Sequence, residues 1–249
     1  MLGVNTVPNL LNISQWTVGQ GSVGMWTQMG KAINNDRRYI VGPWGKEILM
    51  WEAIEDDTTP SQYGGGWNST TLLYIDPTKT YRFSVWMNRT VTGNGSFYLG
   101  SNTYNSSGTN IGLIRIENGA SDTNAYFYSG TGFVTGEWFL VVGHIYPYDY
   151  SGTTMHADAG RWRYSTRTKY GTITREFKWR DTSVRTIHRS FLYGSTNPDT
   201  RQLHFYPRVE LCDGTEPTIQ QLLRNGSFYT SVSSNLNFLS FNFRDVVSH

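Results

Sequence analysis

Tyr63-Gly-Gly-Gly-Trp67 sets three glycines between two aromatic side chains just before a β-type run, in a sequence of 249 residues. A phenol or indole face stacks on the apolar C–H face of a sugar, and neighbouring polar groups then orient its hydroxyls. The glycines predict a loop able to present Tyr63 and Trp67 to such a ligand. A competing reading makes Trp67 a plug at the end of a core, because large aromatics dominate interiors. A second set of groups lies in Arg161-Trp-Arg-Tyr164, where strand alternation puts Arg161 and Arg163 on one face and Trp162 and Tyr164 on the other. Phe177-Lys-Trp-Arg180 offers a similar alternation. Cations sharing one surface can grip phosphate, sulfate or carboxylate groups.

The wider charge distribution supports a basic face. From Arg161 to Arg189, seven Arg and two Lys stand against Glu176 and Asp181, a local net charge of +7 in a chain whose total is +2. Arg175 and Arg180 belong to this stretch. The face suits an anionic cell-surface glycan or an acidic patch on a neighbouring subunit. Nucleic acid is not the expected partner, since no recognised binding module accompanies the charge.

Other constellations carry less chemistry. Glu52, Glu55, Asp56 and Asp57 have the residue types for a structural calcium or a glycosidase pair, but no calcium-loop motif supports the ion and a solvated acidic loop is expected. Gly19-Gln-Gly-Ser-Val-Gly24 spells a dinucleotide fingerprint without the following helix that such a site needs, so it reads as a turn or bulge. His144, His156, His188, His204 and His249 show no pairing at metal-binding spacing, and no nucleophile, zinc-protease or phosphate-loop motif occurs. The expectation is a protein without enzymatic activity, metal or cofactor. Cys212 stands alone, which excludes a disulfide framework. The first 16 residues lack a basic segment followed by an apolar one, so synthesis in a cytoplasm without a signal peptide is expected, and no run is long enough to insert in a membrane.

These groups must be positioned by strands. Aromatics make up 15% of the chain and charged residues 16%, with 26 glycines, a profile suited to pleated, half-buried surfaces joined by tight turns. Tyr81-Arg-Phe-Ser-Val-Trp-Met87 alternates with period two. Similar strands are predicted near 46–53, 96–100, 111–117, 137–145, 161–166, 171–179, 185–193 and 202–211, with turns at Asn105-Ser-Ser-Gly108 and Asn197-Pro-Asp199. Residues 46–55 fit a helix equally well, and Pro217 to Arg224 predicts a short helix. The whole reads as an all-β, jelly-roll-like sandwich over 1–215. The short helix and a β-type tail over 216–249 would pack on the sandwich or on a neighbouring subunit. Phe238, Phe241 and Phe243 alternate in that tail, with a bulge expected at Leu239-Ser240, and are candidates for assembly contacts together with Arg175 and Arg180.

Several segments resemble structural proteins of marine tailed phages, including cyanophages. They are Gly64-Gly-Gly-Trp67, Ile75 to Thr90, Gly93 to Gly100, Glu137 to His144, His188 to Tyr193, and the stretch from Thr200 through Pro207-Arg-Val-Glu to Asp213-Gly-Thr-Glu-Pro-Thr. More loosely, Asn9-Leu-Leu-Asn-Ile-Ser with Trp16 and the closing Pro207-Arg-Val-Glu-Leu are similar to the ends of carbohydrate-binding-module-type jelly rolls in phage tail and fibre proteins. The resemblance implies a virion protein of a tail fibre or tail tip, contacts with other virion proteins, and a homo-oligomer, with a trimer favoured. It leaves two roles open. One is binding of host surface polysaccharide through the aromatic loop and basic face; the other is a purely structural role as tail adaptor, fibre connector or capsid decoration protein.

Overall fold

Between Tyr81 and Arg89 every second side chain enters one core: Tyr81, Phe83, Val85 and Met87 point one way, while Trp86 points the other way into a second apolar cluster. Apolar cover on both faces is what the rest of the chain supplies to this strand. The computed structural model describes residues 9–55, 63–69, 73–91 and 95–224. In chain order its strands begin with β1 (Gly19–Gln20), β2 (Trp26–Gln28), β3 (Asn35–Val41), β4 (Glu47–Ile54), β5 (Tyr63–Ser69) and β6 (Leu73–Tyr74). There follow β7 (Tyr81–Arg89), β8 (Ser96–Tyr104), β9 (Leu113–Arg115), β10 (Ser121–Asp122), β11 (Tyr126–Gly130) and β12 (Trp138–Tyr146). The last are β13 (Gly160–Arg163), β14 (Thr168–Gly171), β15 (Phe177–Lys178), β16 (Arg185–Tyr193) and β17 (Arg201–Leu211), before the helix α1 (Ile219–Arg224).

The strands form two sheets, as a jelly-roll-like sandwich requires. The larger runs β1-β3-β4-β17-β7-β12-β15-β9-β10, with the β13–β14 ribbon attached to β12; the smaller runs β11-β8-β16-β5-β2, with β6 on β16. Pairing is antiparallel except between β12 and β15. Phe83, Phe97, Leu99, Phe127, Phe139 and Val141 fill the space between the sheets. At one end Trp16, Trp26, Trp51 and Trp67 meet edge to face, with centroids 5.2 Å apart for Trp16–Trp26 and for Trp26–Trp67. The outer face of the larger sheet is covered as well: Ile219, Leu222 and Leu223 of α1, with Trp44, Trp162 and Tyr164, pack over Trp86, Leu140 and Phe205. Among the described residues, Tyr98, Tyr126 and Tyr193 of the smaller sheet stay partly exposed.

The ambiguity at 46–55 resolves as strand β4. Leu49, Trp51 and Ala53 enter the main core and Ile48 and Met50 the outer cluster, a period of two that only a strand covered on both faces can use. The predicted strand over 171–179 shrinks to β15, because Thr174 and Arg175 instead donate their N–H groups to the carbonyl of Phe127 on the other sheet. The strands expected over 161–166 and 111–117 are similarly short. Gly19, Gly21 and Gly24 all take positive φ around β1, so the glycine motif there serves turns. The tail residues Phe238, Phe241 and Phe243, and the bulge expected at 239–240, lie outside the described residues.

Three histidines are buried with the strands. Burial pushes His188 down to about 4 and His204 to about 3. His144 is also lowered by burial, against the opposing pull of Glu176, whose Oε1 lies 2.7 Å from its Nδ1. A depressed folded value means that the unfolded chain takes up the proton first. The stability these groups contribute is therefore complete above the ordinary value near 6.5 and is lost as the pH falls from there toward the folded values. Urea unfolding is expected to show a loss approaching about 1.4 kcal/mol per pH unit for each of His188 and His204 below that point. A stability that stays level from pH 7.5 to 5 would contradict this burial.

A tyrosine-lined groove as the candidate site

Alternation that buries Phe97 and Leu99 of β8 turns Tyr98 outward, and the same rule applied to β16 buries Leu192 and turns Phe191 and Tyr193 outward. Strand register then brings these rings together. Phe191 sits opposite Tyr98 on one side and Gly66 on the other, and Tyr193 sits opposite Tyr63. Tyr126 of β11 completes the set, 4.7 Å from Tyr98. Tyr98 lies flat on Phe191 at 4.9 Å with an interplanar angle of 5°, while Tyr63 meets Phe191 and Tyr193 edge-on at 5.2 and 5.6 Å. Three tyrosines thus pack on Phe191, which is 1% exposed, and Tyr193 joins them through Tyr63 and Tyr98.

Side chains of β9 and β10 and of the segments that follow β10 and β14 raise a polar wall beside this floor. Arg115, Asp122, Asn124, Thr174 and Arg175 close a groove of about 510 Å³, a volume typical of small-ligand sites. Arg115 of β9 donates from Nε and Nη2 to one oxygen of Asp122 on β10, at 2.9 and 2.8 Å. Asn124 Oδ1 accepts from the Tyr126 hydroxyl at 2.9 Å and from Arg189 at 2.7 Å. The Arg189 guanidinium lies 4.4 Å from the centre of the Tyr126 ring, underpinning that end of the floor. Burial raises the pKa of the Tyr98 and Tyr126 phenols, so both remain protonated donors across the physiological range. Flat rings beside fixed amide, hydroxyl and guanidinium groups can stack on sugar rings and hydrogen-bond their hydroxyls. Among the described residues that line the groove, Asp122 is the one carboxylate, and it is already held by Arg115.

The residues anticipated for binding fall on both sides of this result. Tyr63, 43% exposed, stands at the groove, and Arg175, expected as an assembly contact, stands in its wall. Trp67 is 0% exposed and belongs to the tryptophan core, so the expectation that it stacks on a ligand is corrected in favour of the plug. The expected loop is strand β5, and its glycines answer a steric demand. A Cβ on Gly65 would stand 1.8 Å from the Asn34 carbonyl oxygen, and one on Gly66 would stand 2.2 Å from the Phe191 Cβ.

Arg161, Trp162 and Arg163 lie on β13, away from the groove lining. They alternate as expected, but the arginines are already engaged. Arg161 donates to the carbonyls of Gly132 and Thr172, and Arg163 lies 4.2 Å from the centre of the Tyr170 ring. Trp162 packs in the outer cluster and donates to the Asp158 carbonyl at 2.8 Å. Arg180 donates to the Ile111 carbonyl and to Ser121. The single basic face expected over 161–189 is thus replaced by arginines distributed over both sheets, most of them holding loop carbonyls or rings. The expected solvated acidic loop is corrected too. Glu52 is buried and gripped by Arg38 through two 2.8 Å bonds, Glu55 is buried, and Asp56 and Asp57 lie outside the described residues. Among the described residues no group of three or more His, Cys, Asp or Glu side chains is placed to hold a metal.

Tyr98, Tyr126, Phe191 and Tyr193 were not anticipated as site residues. Their signal was an aromatic on the outward phase of a strand whose inward phase was already apolar, as in Phe97-Tyr98-Leu99 and Phe191-Leu192-Tyr193.

No family model and no curated protein matches the chain. Solved structures resemble it in general architecture. The CBM22-1 and GH10 modules of the N-terminal endo-1,4-β-D-xylanase 10B of Clostridium thermocellum, complexed with xylohexaose, are 14% identical, with 78% of this chain and 27% of that chain covered and a TM-score of 0.42. The CBM22-1 xylan-binding domain of Xyn10C from Paenibacillus barcinonensis is 12% identical, with 86% and 98% covered and a TM-score of 0.39. An exo-β-agarase is 10% identical, with 87% and 26% covered and a TM-score of 0.42. The chain thus spans about a quarter of the xylanase and agarase chains. The two-sheet sandwich itself rests on the strand pairing described above.

Proposed function

We propose that this chain is a non-enzymatic, glycan-binding sandwich of a phage virion, and that the tyrosine groove is where it holds host surface polysaccharide. The observation that carries the binding half is the aromatic floor. Rings are turned outward on four adjacent strands of one sheet, beside a wall of fixed polar groups, where a core-only role would have left them inward. The virion half is supported by the resemblance of residues 60–224 to phage structural proteins. A tail-fibre or tail-tip position, and assembly as a homo-oligomer with other virion proteins, follow from that same resemblance.

Removing rings at the groove tests the site without emptying the core. Tyr63→Ala and Tyr193→Ala are each expected to weaken binding to host polysaccharide by about 1–2 kcal/mol, roughly five- to thirtyfold in Kd, with the thermal transition nearly unchanged. Unchanged affinity in both variants would remove the groove from this role. A structural role is favoured instead by Tyr39 and Val41 of β3, both well exposed near one edge of the larger sheet. Electron microscopy of intact particles separates the readings: a binding module turns the groove to solvent, whereas a connector covers it with a neighbouring subunit.

A further inference from the structure

We infer that the groove selects anionic glycans, with the guanidinium of Arg175 receiving a carboxylate or sulfate group; this rests on the groove being the binding site proposed above. The two arginines of the wall are engaged very differently. Arg115 spends its Nε and Nη2 on Asp122 Oδ2, and Asp122 Oδ1 accepts the N–H of Asn124 at 3.1 Å, which fixes both side chains. Arg175 has no comparable partner. Its Nη1 lies 3.7 Å from Asp122 Oδ2 and its Nε lies 3.8 Å from Glu117 Oε1, beyond hydrogen-bonding distance in both cases.

A guanidinium carries five N–H donors, and this one remains 26% exposed at a groove. Its backbone is nonetheless fixed, because the N–H groups of Thr174 and Arg175 both donate to the Phe127 carbonyl, at 2.7 and 3.2 Å. The side chain is thereby rooted at the wall with donors to spare. A carboxylate or sulfate presents paired oxygens that match its guanidinium, whereas a neutral hydroxyl takes up a single donor. The two nearby carboxylates offset part of the charge but leave these donors without a hydrogen bond: Asp122 is bonded by Arg115 and by the Asn124 N–H, and Glu117 stands outside the groove lining. The tyrosine floor would stack the sugar rings while Arg175 reads their charged substituent.

The test uses the full chain on an array of neutral, uronate-bearing and sulfated glycans, followed by titrations of the strongest binder. Anionic chains are expected to bind best, with affinity falling as salt is added. Arg175→Gln should lose about tenfold or more on them and less than twofold on any neutral chain, and Arg175→Lys, which keeps the charge without the fork, should fall between. Binding confined to uronates or to sulfated chains would identify which anion is read. Neutral chains bound as tightly as anionic ones, or full affinity in Arg175→Gln, would overturn the inference. If Tyr63→Ala and Tyr193→Ala still lost affinity in that case, the groove would stand and its selectivity alone would fall. Indifference to all three changes, or no binding by any glycan, would overturn both.

Discussion

Gly66→Ala is expected to destabilise the protein by about 4 kcal/mol or more and to disturb the floor of the groove at the same time. Gly66 adopts φ +147°, and a Cβ there would meet the Phe191 Cα at 2.4 Å and the Ser190 carbonyl oxygen at 2.4 Å. The obstruction is backbone, so no rotamer change relieves it, and β5 would have to move away from β16. Phe191 is the ring on which Tyr98 stacks, so the displacement would reach the groove. Gly45→Ala serves as the control. Gly45 also has positive φ, at +71°, but nothing lies within 4 Å of the position its new methyl group would take, so only the backbone penalty of about 1 kcal/mol is expected. Urea unfolding of the two variants checks the difference; equal losses would show that close approach at β5 is unimportant.

Glu210→Ala should be comparably severe, at about 3–5 kcal/mol, because it removes the buried carboxylate that two buried cations share. Arg82 donates from Nε and Nη2 to Oε2 of Glu210 at 2.9 and 2.6 Å, and Arg208 from the same two atoms to Oε1 at 2.9 and 2.5 Å. All three side chains are buried. Their shared face is made by a bulge. Phe205 pairs with Trp86 and Arg208 with Ser84, so one extra residue enters β17 between them, where Tyr206 has φ +43° and Pro207 has no N–H to place in the ladder. That insertion reverses the phase of the strand, keeping Phe205 and Glu210 on the outer face while Val209 enters the core. Replacing all three charged residues together by apolar ones of similar size is expected to recover most of the loss, since a fully apolar cluster has no desolvated charge to compensate. Denaturant titration of the single and triple variants reads this directly, and equal destabilisation in both would refute it.

The fold was legible where alternation was regular. Tyr81 to Met87, 137–145 and 185–193 are strands because their two phases are both used, and the turn signals between them lie where the chain reverses. Legibility failed where an element owes its form to a neighbour. The glycines of β5 read as a loop in the sequence, whereas in the fold the Asn34 carbonyl and the Phe191 backbone occupy the space their side chains would need. Local charge misled for a related reason. Nine cations in 29 residues suggested one face, yet the strands carrying them belong to different sheets. Of the groove, the sequence points to Tyr63 as a binding residue, for its place beside the glycines, and to Arg175 only as an assembly contact, for its charge. Tyr98, Tyr126 and Tyr193 gain their significance only from the pairing order β11-β8-β16-β5, which joins residues up to 130 positions apart and leaves no local trace.

The central claim is that an aromatic groove on the smaller sheet holds a sugar chain. Structure determination with a bound oligosaccharide from the best-binding polysaccharide tests it most directly. Sugar rings seated over Tyr63, Tyr98, Tyr126 and Tyr193, with a charged substituent at Arg175, are the expected result. A chain bound instead along the β13–β14 ribbon at Arg161 and Arg163, with the tyrosines untouched, would contradict it.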